Sequence, residues 1–272
     1  MRSRRTNLWV CGALAALALP AAVEAGSIIH VDAAAPGGGD GTSWMTAFND
    51  LQEALAVAVP NDSIWVAAGV YTPAEPNGDR EASFLLVNGV PLFGGFAGWE
   101  ENLDERDWIL NETILSGDLN GDDGPDFENN GENSYHVVRA VDLPSPAWLD
   151  GFTVTDGNAS DGRYPDPTAC GAGLFGENST IHVRNCTFQD NRSWSVGGAM
   201  YVAGGSLEIE ACTFSGNAAD DGEGNGTGGG IYCWSADITV ANSGFERNEG
   251  ASHGGAIELR EGGSGWLEGC TF

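Results

Sequence analysis

Lysine is missing from this chain of 272 residues, and all 11 of its basic residues are arginines, against 39 aspartates and glutamates. The formal net charge is −28, with no basic run outside the first five residues. A surface of this charge repels nucleic acids and anionic membranes, so neither is expected as a partner, and cations are the natural ones. The missing lysine also excludes a P-loop and any lyase or galacturonase motif that requires this residue.

Long apolar runs are scarce as well, and the one that occurs lies at the start of the chain. A basic segment, Met1–Arg5, precedes an apolar stretch from Leu8 to Ala22, and Val23-Glu24-Ala25 supplies a cleavage site of the small-x-small type. The apolar stretch is shorter than the ~20 residues that a membrane-spanning helix needs. We therefore expect residues 1–25 to be a signal peptide and the protein to be exported, to the medium, the cell surface or the outer membrane. No transmembrane helix is expected after cleavage.

Cysteine is too scarce for a disulfide scaffold. Cys11 lies in the leader, which leaves five cysteines, and an odd number cannot all pair. The composition still provides a core, because 42% of the residues are hydrophobic and the chain has 9 Trp and 11 Phe. Glycine is abundant, at 41 residues, but it shows no three-residue period, which excludes collagen.

The C-terminal half contains an internal repeat with two motifs. The form F-x-x-N begins at Phe188, Phe214 and Phe245, and G-G-[A/G]-[I/M] begins at residues 197, 228 and 254. Between the motifs the apolar positions alternate as in a strand, and the phase then slips by one residue. Such a slip reverses the facing of a straight strand, so the chain must turn a corner there. Short strands joined by corners, at 26–31 residues a circuit, predict a parallel β-helix.

Three columns of like residues are expected to stack along the coils. Phenylalanines and cysteines fill the interior, whereas asparagines occupy corners, where they tolerate a left-handed backbone and hydrogen-bond from coil to coil. Neighbouring cysteines at strand spacing have parallel side chains, which suits buried thiols and not disulfides. The columns are Phe188, Phe214, Phe245 and Phe272; Asn191, Asn217 and Asn248; and Cys186, Cys212 and Cys270.

With these motifs the chain resembles the repeat family of the chlamydial polymorphic outer membrane proteins, and more widely the bacterial surface proteins built on a right-handed, pectate-lyase-like parallel β-helix. The resemblance covers residues 148–272. It implies a right-handed helix, secretion or outer-membrane display, and an adhesive or cell-envelope role. A membrane β-barrel usually follows the helix in that family. Because the chain stops at Phe272 within an F-x-x-N motif, we expect a truncated product whose C-terminal anchor or barrel is missing.

Residues 26–147 are expected to hold the N-terminal cap and the first coils, in one solenoid with the repeats at 148–272. Phe48, Leu51, Leu55 and Val59 recur at helical spacing, and a short helix over the open apolar end suits the start of a solenoid. Strands are expected at 64–67, 83–87, 90–93, 113–116 and 136–141. The predicted fold class is therefore all-β, a right-handed parallel β-helix with a short N-terminal capping helix.

One loop has the spacing of a calcium ligand set. The candidate ligands are Asp118, Asn120, Asp122, Asp123 and Asp126. Oxygen ligands at alternate positions are what a hard cation takes from one loop. The loop departs from an EF-hand, because Asp123 stands where that loop has glycine and Asn129 where it has a ligating glutamate. The alternative interpretation is a solvated acidic turn, so Ca²⁺ is a candidate cofactor and not an established one.

The alternation also predicts which side chains of the repeats face outward and stack into columns. The columns are Trp148, His182, Glu208, Thr239 and Trp266; Asp150, Arg184, Glu210, Ala241 and Glu268; and Thr153, Thr187, Thr213, Gly244 and Thr271. His182, Arg184, Glu208 and Glu210 are residue types that a polysaccharide lyase or glycosidase uses for acid and base chemistry. The alternative is cross-coil pairing of His182 with Glu208 and of Arg184 with Glu210. The threonine row is typical of strands, and it also suits contact with a polymer or ordered water.

The function that the sequence favours is binding. An exported β-helix presents long faces to a polysaccharide or to a host or cell-surface ligand, and no convergent catalytic set is evident. Two alternatives stay open. One is a carbohydrate-active enzyme, a polysaccharide lyase or glycosidase that uses residues 182, 184, 208 and 210. The other is a structural stalk for a missing C-terminal module.

Overall fold

The computed structural model describes residues 26–272, so the signal peptide expected at residues 1–25 lies outside the described part. The described chain contains 22 short strands, one α-helix and five 3-10 turns, and every pair of neighbouring strands is parallel. No helix among residues 26–272 is long and apolar enough to cross a membrane.

The elements follow in chain order. The strands are β1 (Ile28–Val31), β2 (Ser63–Ala67), β3 (Gly69–Tyr71), β4 (Phe84–Leu85), β5 (Pro91–Phe96), β6 (Thr113–Ser116), β7 (Val138–Val141), β8 (Ala147–Asp150), β9 (Thr153–Thr155), β10 (Asn158–Ala159), β11 (Leu174–Arg184), β12 (Thr187–Gln189), β13 (Arg192–Ser193), β14 (Met200–Glu210), β15 (Thr213–Ser215), β16 (Ala218–Ala219), β17 (Ile231–Trp234), β18 (Asp237–Ala241), β19 (Gly244–Glu246), β20 (Glu249–Gly250), β21 (Ile257–Arg260) and β22 (Gly265–Glu268). The helix is α1 (Leu51–Val57), and the 3-10 turns are Trp44–Thr46, Leu103–Glu105, Pro125–Phe127, Asn130–Glu132 and Pro167–Ala169.

The strands stack into three sheets that wind around one apolar interior. Sheet A has 12 strands, with the order β1-β2-β5-β8-β11-β14-β17-β21 and with β4, β7, β18 and β22 joined at its side. Sheet B runs β3-β6-β9-β12-β15-β19, and sheet C runs β10-β13-β16-β20. From β8 onward, each circuit of the chain passes from A to B to C before it returns to A one strand spacing further on, whereas the earlier circuits have no strand in sheet C. The all-β parallel helix predicted from the repeat is confirmed.

Two sharp corners in each regular coil explain the phase slip. The first corner, between sheets A and B, has a residue with positive φ at Asn185, Ala211 and Asn242. The second, between sheets B and C, has its positive φ one residue before each asparagine of the F-x-x-N motif, at Asp190, Gly216 and Arg247. The expectation that Asn191, Asn217 and Asn248 themselves take the left-handed backbone is therefore wrong.

These three asparagines point inward and form a hydrogen-bonded ladder. Nδ2 of Asn191 donates to Oδ1 of Asn217 at 3.0 Å, and Nδ2 of Asn217 donates to Oδ1 of Asn248 at 2.8 Å. Each Nδ2 also donates to a backbone carbonyl of an adjacent strand. Asn191 and Asn217 have no exposed surface, and a buried amide is tolerated only because the ladder satisfies it.

Two further columns fill the space between the sheets. The rings of Phe188, Phe214, Phe245 and Phe272 stack nearly parallel, with centroids 4.7 to 5.4 Å apart. The first three are buried, whereas Phe272 is 71% exposed, so the expectation that it fills the interior is wrong. Cys186 and Cys212 are buried free thiols whose Sγ atoms contact backbone carbonyls, and Cys270 is a half-buried one. Burial raises the pKa of the Cys186 thiol well above its usual value, so it is a packing residue and not a nucleophile.

The N-terminal end of the helix is covered as predicted. Asp50 caps α1 by accepting from the backbone N–H of Gln52, and Leu51, Ala54 and Leu55 bury one face of the helix. This face joins the same apolar cluster as the first strands, β1, β2 and β4. The strands expected at 64–67, 83–87, 90–93, 113–116 and 136–141 are present as β2, β4, β5, β6 and β7, with ends that differ by a few residues.

Two insertions flank β6, one at each of its corners. In the coil of β11 and β12, residues 185–186 and 190–191 are enough to turn the two corners. In the coil of β5 and β6, residues 97–112 occupy the first corner, and we call them the wall loop. Residues 118–133 occupy the second corner and form the acidic loop. The chain leaves the stack at Gly117 and rejoins it at Ser134, whose N–H donates to the carbonyl of Gly117 at 2.9 Å.

Candidate functional site

A groove of about 370 Å³ lies at the corner between sheets A and B. Its lining combines the hydroxyl row of sheet B, corner backbone and the wall loop. The lining residues are Trp108, Ile109, Glu112, Gly151, Phe152, Thr153, Asn185, Cys186, Thr187, Ala211 and Thr213. A volume of this size falls within the range of small-ligand sites.

The floor of the groove repeats with the coils. Thr153, Thr187 and Thr213 are register partners in β9, β12 and β15, so their side chains leave the same face of sheet B at strand spacing, about 4.8 Å. Thr153 is buried and donates its hydroxyl to Oε1 of Glu112 at 2.9 Å. Thr187 and Thr213 become progressively more exposed away from the wall loop.

The wall loop is held against the coils by one buried ion pair. Arg106 contacts Asp150 with an N–O distance of 2.8 Å, and the two side chains are only 7% and 10% exposed. The same guanidinium donates to the carbonyls of Gly94 and Asp150 and lies 5.1 Å from the ring centre of Trp108. These hydrogen bonds and the ion pair compensate the buried charges of Arg106 and Asp150. The pair can therefore hold the wall loop in place without leaving an uncompensated charge in the interior.

Glycine at position 95 permits the close approach of the wall. Gly95 has φ +92°, and a Cβ there would lie 2.7 Å from Cα of Trp108. The wall then presents apolar surface to solvent: Trp108 is 37% exposed, and Ile109 and Leu110 are each 81% exposed. An exposed indole beside a hydroxyl row is an arrangement that suits a ligand with both apolar and hydroxyl faces.

The four residues considered for catalysis lie together on sheet A as two cross-coil pairs. Nδ1 of His182 lies 2.7 Å from Oε2 of Glu208, and Nε of Arg184 lies 3.2 Å from Oε2 of Glu210. The ring of Trp148 stacks on His182 with centroids 4.1 Å apart. Arg184 and Glu210 are about half exposed, so this pair contributes at most about 1 kcal/mol to stability. This geometry is the one expected for cross-coil pairing, which is the alternative to a catalytic role for these residues.

The acidic loop brings together three of its five candidate ligands. Carboxylate oxygens of Asp118, Asp122 and Asp123 lie within 4.8 Å of one another and of a carboxylate oxygen of Glu132. Asp126 stays outside this group, and Oδ1 of Asn120 accepts from the backbone N–H of Asn77 at 2.9 Å. Glu132 has no spacing signal in the sequence, because it comes from the far end of the loop.

The acidic loop is ordered around Asp118. The carboxylate of Asp118 accepts from the backbone N–H groups of Asn120, Gly121, Asp122 and Asp123 at 2.7 to 3.3 Å. Burial, with the neighbouring carboxylates, raises the pKa of Asp123 to about 6 despite a hydrogen bond from Asn133. Burial and the nearby Asp122 and Asp118 likewise raise the pKa of Glu132. The cluster therefore carries more negative charge than its surroundings offset.

Comparisons with known proteins bear on the fold. Residues 170–272 match the family model described as a right handed beta helix region. The helix is right-handed. No curated protein matches the chain. Among solved structures, the pectin methylesterase PemA from Erwinia chrysanthemi aligns with 16% identity and a TM-score of 0.40, over 80% of this chain and 54% of its own. This chain thus spans about half the length of that enzyme, and a likeness of this degree says nothing about activity. The resemblance to the chlamydial outer membrane proteins stays a prediction.

Proposed function

We propose that this protein is a non-catalytic binding protein that holds an elongated, neutral glycan in the groove between sheets A and B. The observation that carries the proposal is the row of threonine hydroxyls beside the exposed indole of Trp108. Pyranose rings have apolar faces that pack on aromatic rings and hydroxyl edges that hydrogen-bond, so both surfaces of the groove find a complement on one ligand.

The shape of the groove favours a polymer over a small molecule. Its floor continues across successive coils at Thr153, Thr187 and Thr213, and these side chains become more exposed from the buried Thr153 to Thr213. The hydroxyl of Thr153 donates to Glu112, so Thr187 and Thr213 are the ones that a ligand can reach. A chain molecule laid along the row repeats its own hydroxyls and can contact both coils, so its contacts add along its length.

The charge of the protein selects among glycans. At a formal charge of −28, the surface repels polyuronates and sulfated polymers over the range of the Debye length, about 8 Å at physiological salt. Neutral glycans carry no such penalty. Export, as predicted from residues 1–25, would put the groove in contact with the glycans of a cell envelope, where an adhesive role follows from binding.

The test is calorimetric binding to soluble neutral polysaccharides, with polygalacturonate as the charged comparison. We expect binding to the neutral polymer, weakened about three- to tenfold by Thr187→Val, which removes one hydroxyl with little change in shape. Trp108→Ala should weaken binding further. Thr239→Val, on the outer face of sheet A, is the matched control and should leave binding unchanged.

Other outcomes would contradict the proposal. Binding that Thr187→Val and Trp108→Ala leave intact would place the glycan elsewhere. No binding to any polysaccharide would favour the stalk alternative. New reducing ends or unsaturated products that disappear in Glu208→Gln would favour the enzyme, because catalysis would then use the paired face of sheet A.

A further inference from the structure

We propose that Asp118, Asp122, Asp123 and Glu132 bind one Ca²⁺ ion, which fastens the acidic loop to the β-helix. The site lies in the loop that follows β6, whereas the wall loop of the groove precedes β6. It does not depend on glycan binding. Asp118 begins the acidic loop and Glu132 nearly ends it, so a shared ion would join the two ends of the insertion where they meet the coils.

Buried oxygen atoms without hydrogen-bond donors support a cation site at this cluster. Oδ1 of Asp123 and Oε1 of Glu132 are shielded from solvent and accept no hydrogen bond. Asn133 has no exposed surface, and its Nδ2 donates to Oδ2 of Asp123 and to the carbonyl of Asp156, both at 2.6 Å. Its Oδ1, on the same carboxamide, has no donor either. Buried acceptors are rarely left in this state, and a cation satisfies several of them at once.

No side chain of opposite charge compensates the cluster. The ion pairs among residues 26–272 join other residues, and none involves Asp118, Asp122, Asp123 or Glu132. Arg80, beside the acidic loop, is already used: it donates to the carbonyls of Asn133 and Asn158 and to Oγ of Ser160. Four carboxylates in one partly buried site therefore favour the binding of a cation from solution.

The donor set selects the ion. All the candidate ligands are oxygens, and no histidine or cysteine belongs to the group, which favours a hard cation. Ca²⁺ accepts six to eight oxygens in irregular geometry, whereas Mg²⁺ demands a near-ideal octahedron. A loop whose ligands come from both of its ends suits the larger ion.

The test is calorimetric titration of the chelator-treated protein with Ca²⁺, together with its melting temperature and its digestion by a protease. We expect one ion per chain, a higher melting temperature and slower cleavage within residues 118–133 when Ca²⁺ is present. Asp123→Asn and Glu132→Gln should each weaken binding at least tenfold. Asp126→Asn is the matched control, because it changes a carboxylate of the same loop that lies outside the group.

Variants that fold poorly would not obscure the result. Asp123→Asn removes one uncompensated charge, so in chelator its melting temperature should equal or exceed that of the wild type, and in Ca²⁺ the order should reverse. Several results would overturn the proposal: no heat at millimolar Ca²⁺, equal binding of Mg²⁺, binding that survives both Asp123→Asn and Glu132→Gln, or loss of binding in Asp126→Asn. Glycan binding should be unchanged in all three variants.

Discussion

The regular coils and the coil of β5 and β6 differ in how the chain turns the two corners between the sheets. From β11 onward, each coil turns its two corners with two residues apiece and stacks like residues on like: phenylalanine on phenylalanine and asparagine on asparagine. The coil of β5 and β6 places the wall loop and the acidic loop at the same corners. Both candidate sites lie on these insertions. The repeats therefore form a scaffold, and the features that could bind a ligand occur where a coil departs from the repeat.

The side chains in the interior also differ between the regular coils and the coils nearer the N-terminus. The column that holds Phe245, Phe214 and Phe188 continues through the register partners Val154 and Leu115 to Tyr71. Identical rings stack on one another, so each regular coil presents the same interior side chain to the next one at this position. Toward the N-terminus the side chains vary, and the coils vary with them.

The largest effect should come from breaking the phenylalanine column. Phe214 has no exposed surface and stacks on a ring at each side, so Phe214→Ala leaves a cavity and should lower the free energy of unfolding by about 3–5 kcal/mol. Leu115→Ala, at the same column in the inserted coil, should cost less, about 3 kcal/mol, because a smaller side chain is lost. Urea denaturation of both variants measures the difference. Equal costs would mean that ring stacking adds nothing to burial.

A middle-sized effect should appear as pH dependence at the junction of the two regions. His136 follows the acidic loop, is almost fully buried against Phe175, and has its pKa lowered to about 4, chiefly by burial. The unfolded chain binds a proton near pH 6.5, so this contribution to stability is complete above that pH and is lost as the pH falls toward 4. In the wild type this titration should lower the free energy of unfolding by about 3 kcal/mol over this range, and His136→Gln should abolish that decrease.

The readout for His136 is the difference between the variant and the wild type, because carboxylates with raised pKa, such as Asp156 and Asp190, act in the opposite direction. Melting temperatures between pH 4 and 7.5 measure it. His253→Gln, at an exposed position in the last coils, is the control and should keep the wild-type profile. A parallel profile for His136→Gln would show that the ring does not titrate in this range.

The smallest effect should come from the paired face of the regular coils. A double-mutant cycle of Arg184→Met and Glu210→Gln should give a coupling energy of about 0.5 kcal/mol, which falls as salt is added, because both side chains are nearly half exposed. Guanidinium is unsuitable here since it is itself a salt, so urea is the denaturant. A coupling energy above about 2 kcal/mol would contradict this prediction, because it would mean that the pair contributes substantially to the stability of the regular coils.

The sequence alone determined the coil and much of its interior. Alternation, the one-residue slip and the spacing of F-x-x-N and G-G-[A/G]-[I/M] predict which side chains face inward, because facing in a strand depends only on local period and on the corner. The columns of Phe188, Asn191 and Cys186 follow from that register, as do the pairs of His182 with Glu208 and Arg184 with Glu210.

The tertiary structure decided what lies between and beside the repeats. Glu132 joins Asp118 because the acidic loop closes on itself, and no spacing rule relates residues at the two ends of an irregular loop. The groove exists because Arg106 and Asp150, distant in sequence, hold the wall loop beside Thr153. The left-handed residues sit one position before the asparagines because the asparagine side chains are needed inside. Local periodicity encodes the facing of a strand, whereas loop closure and long-range ion pairs depend on where the finished coils bring the chain.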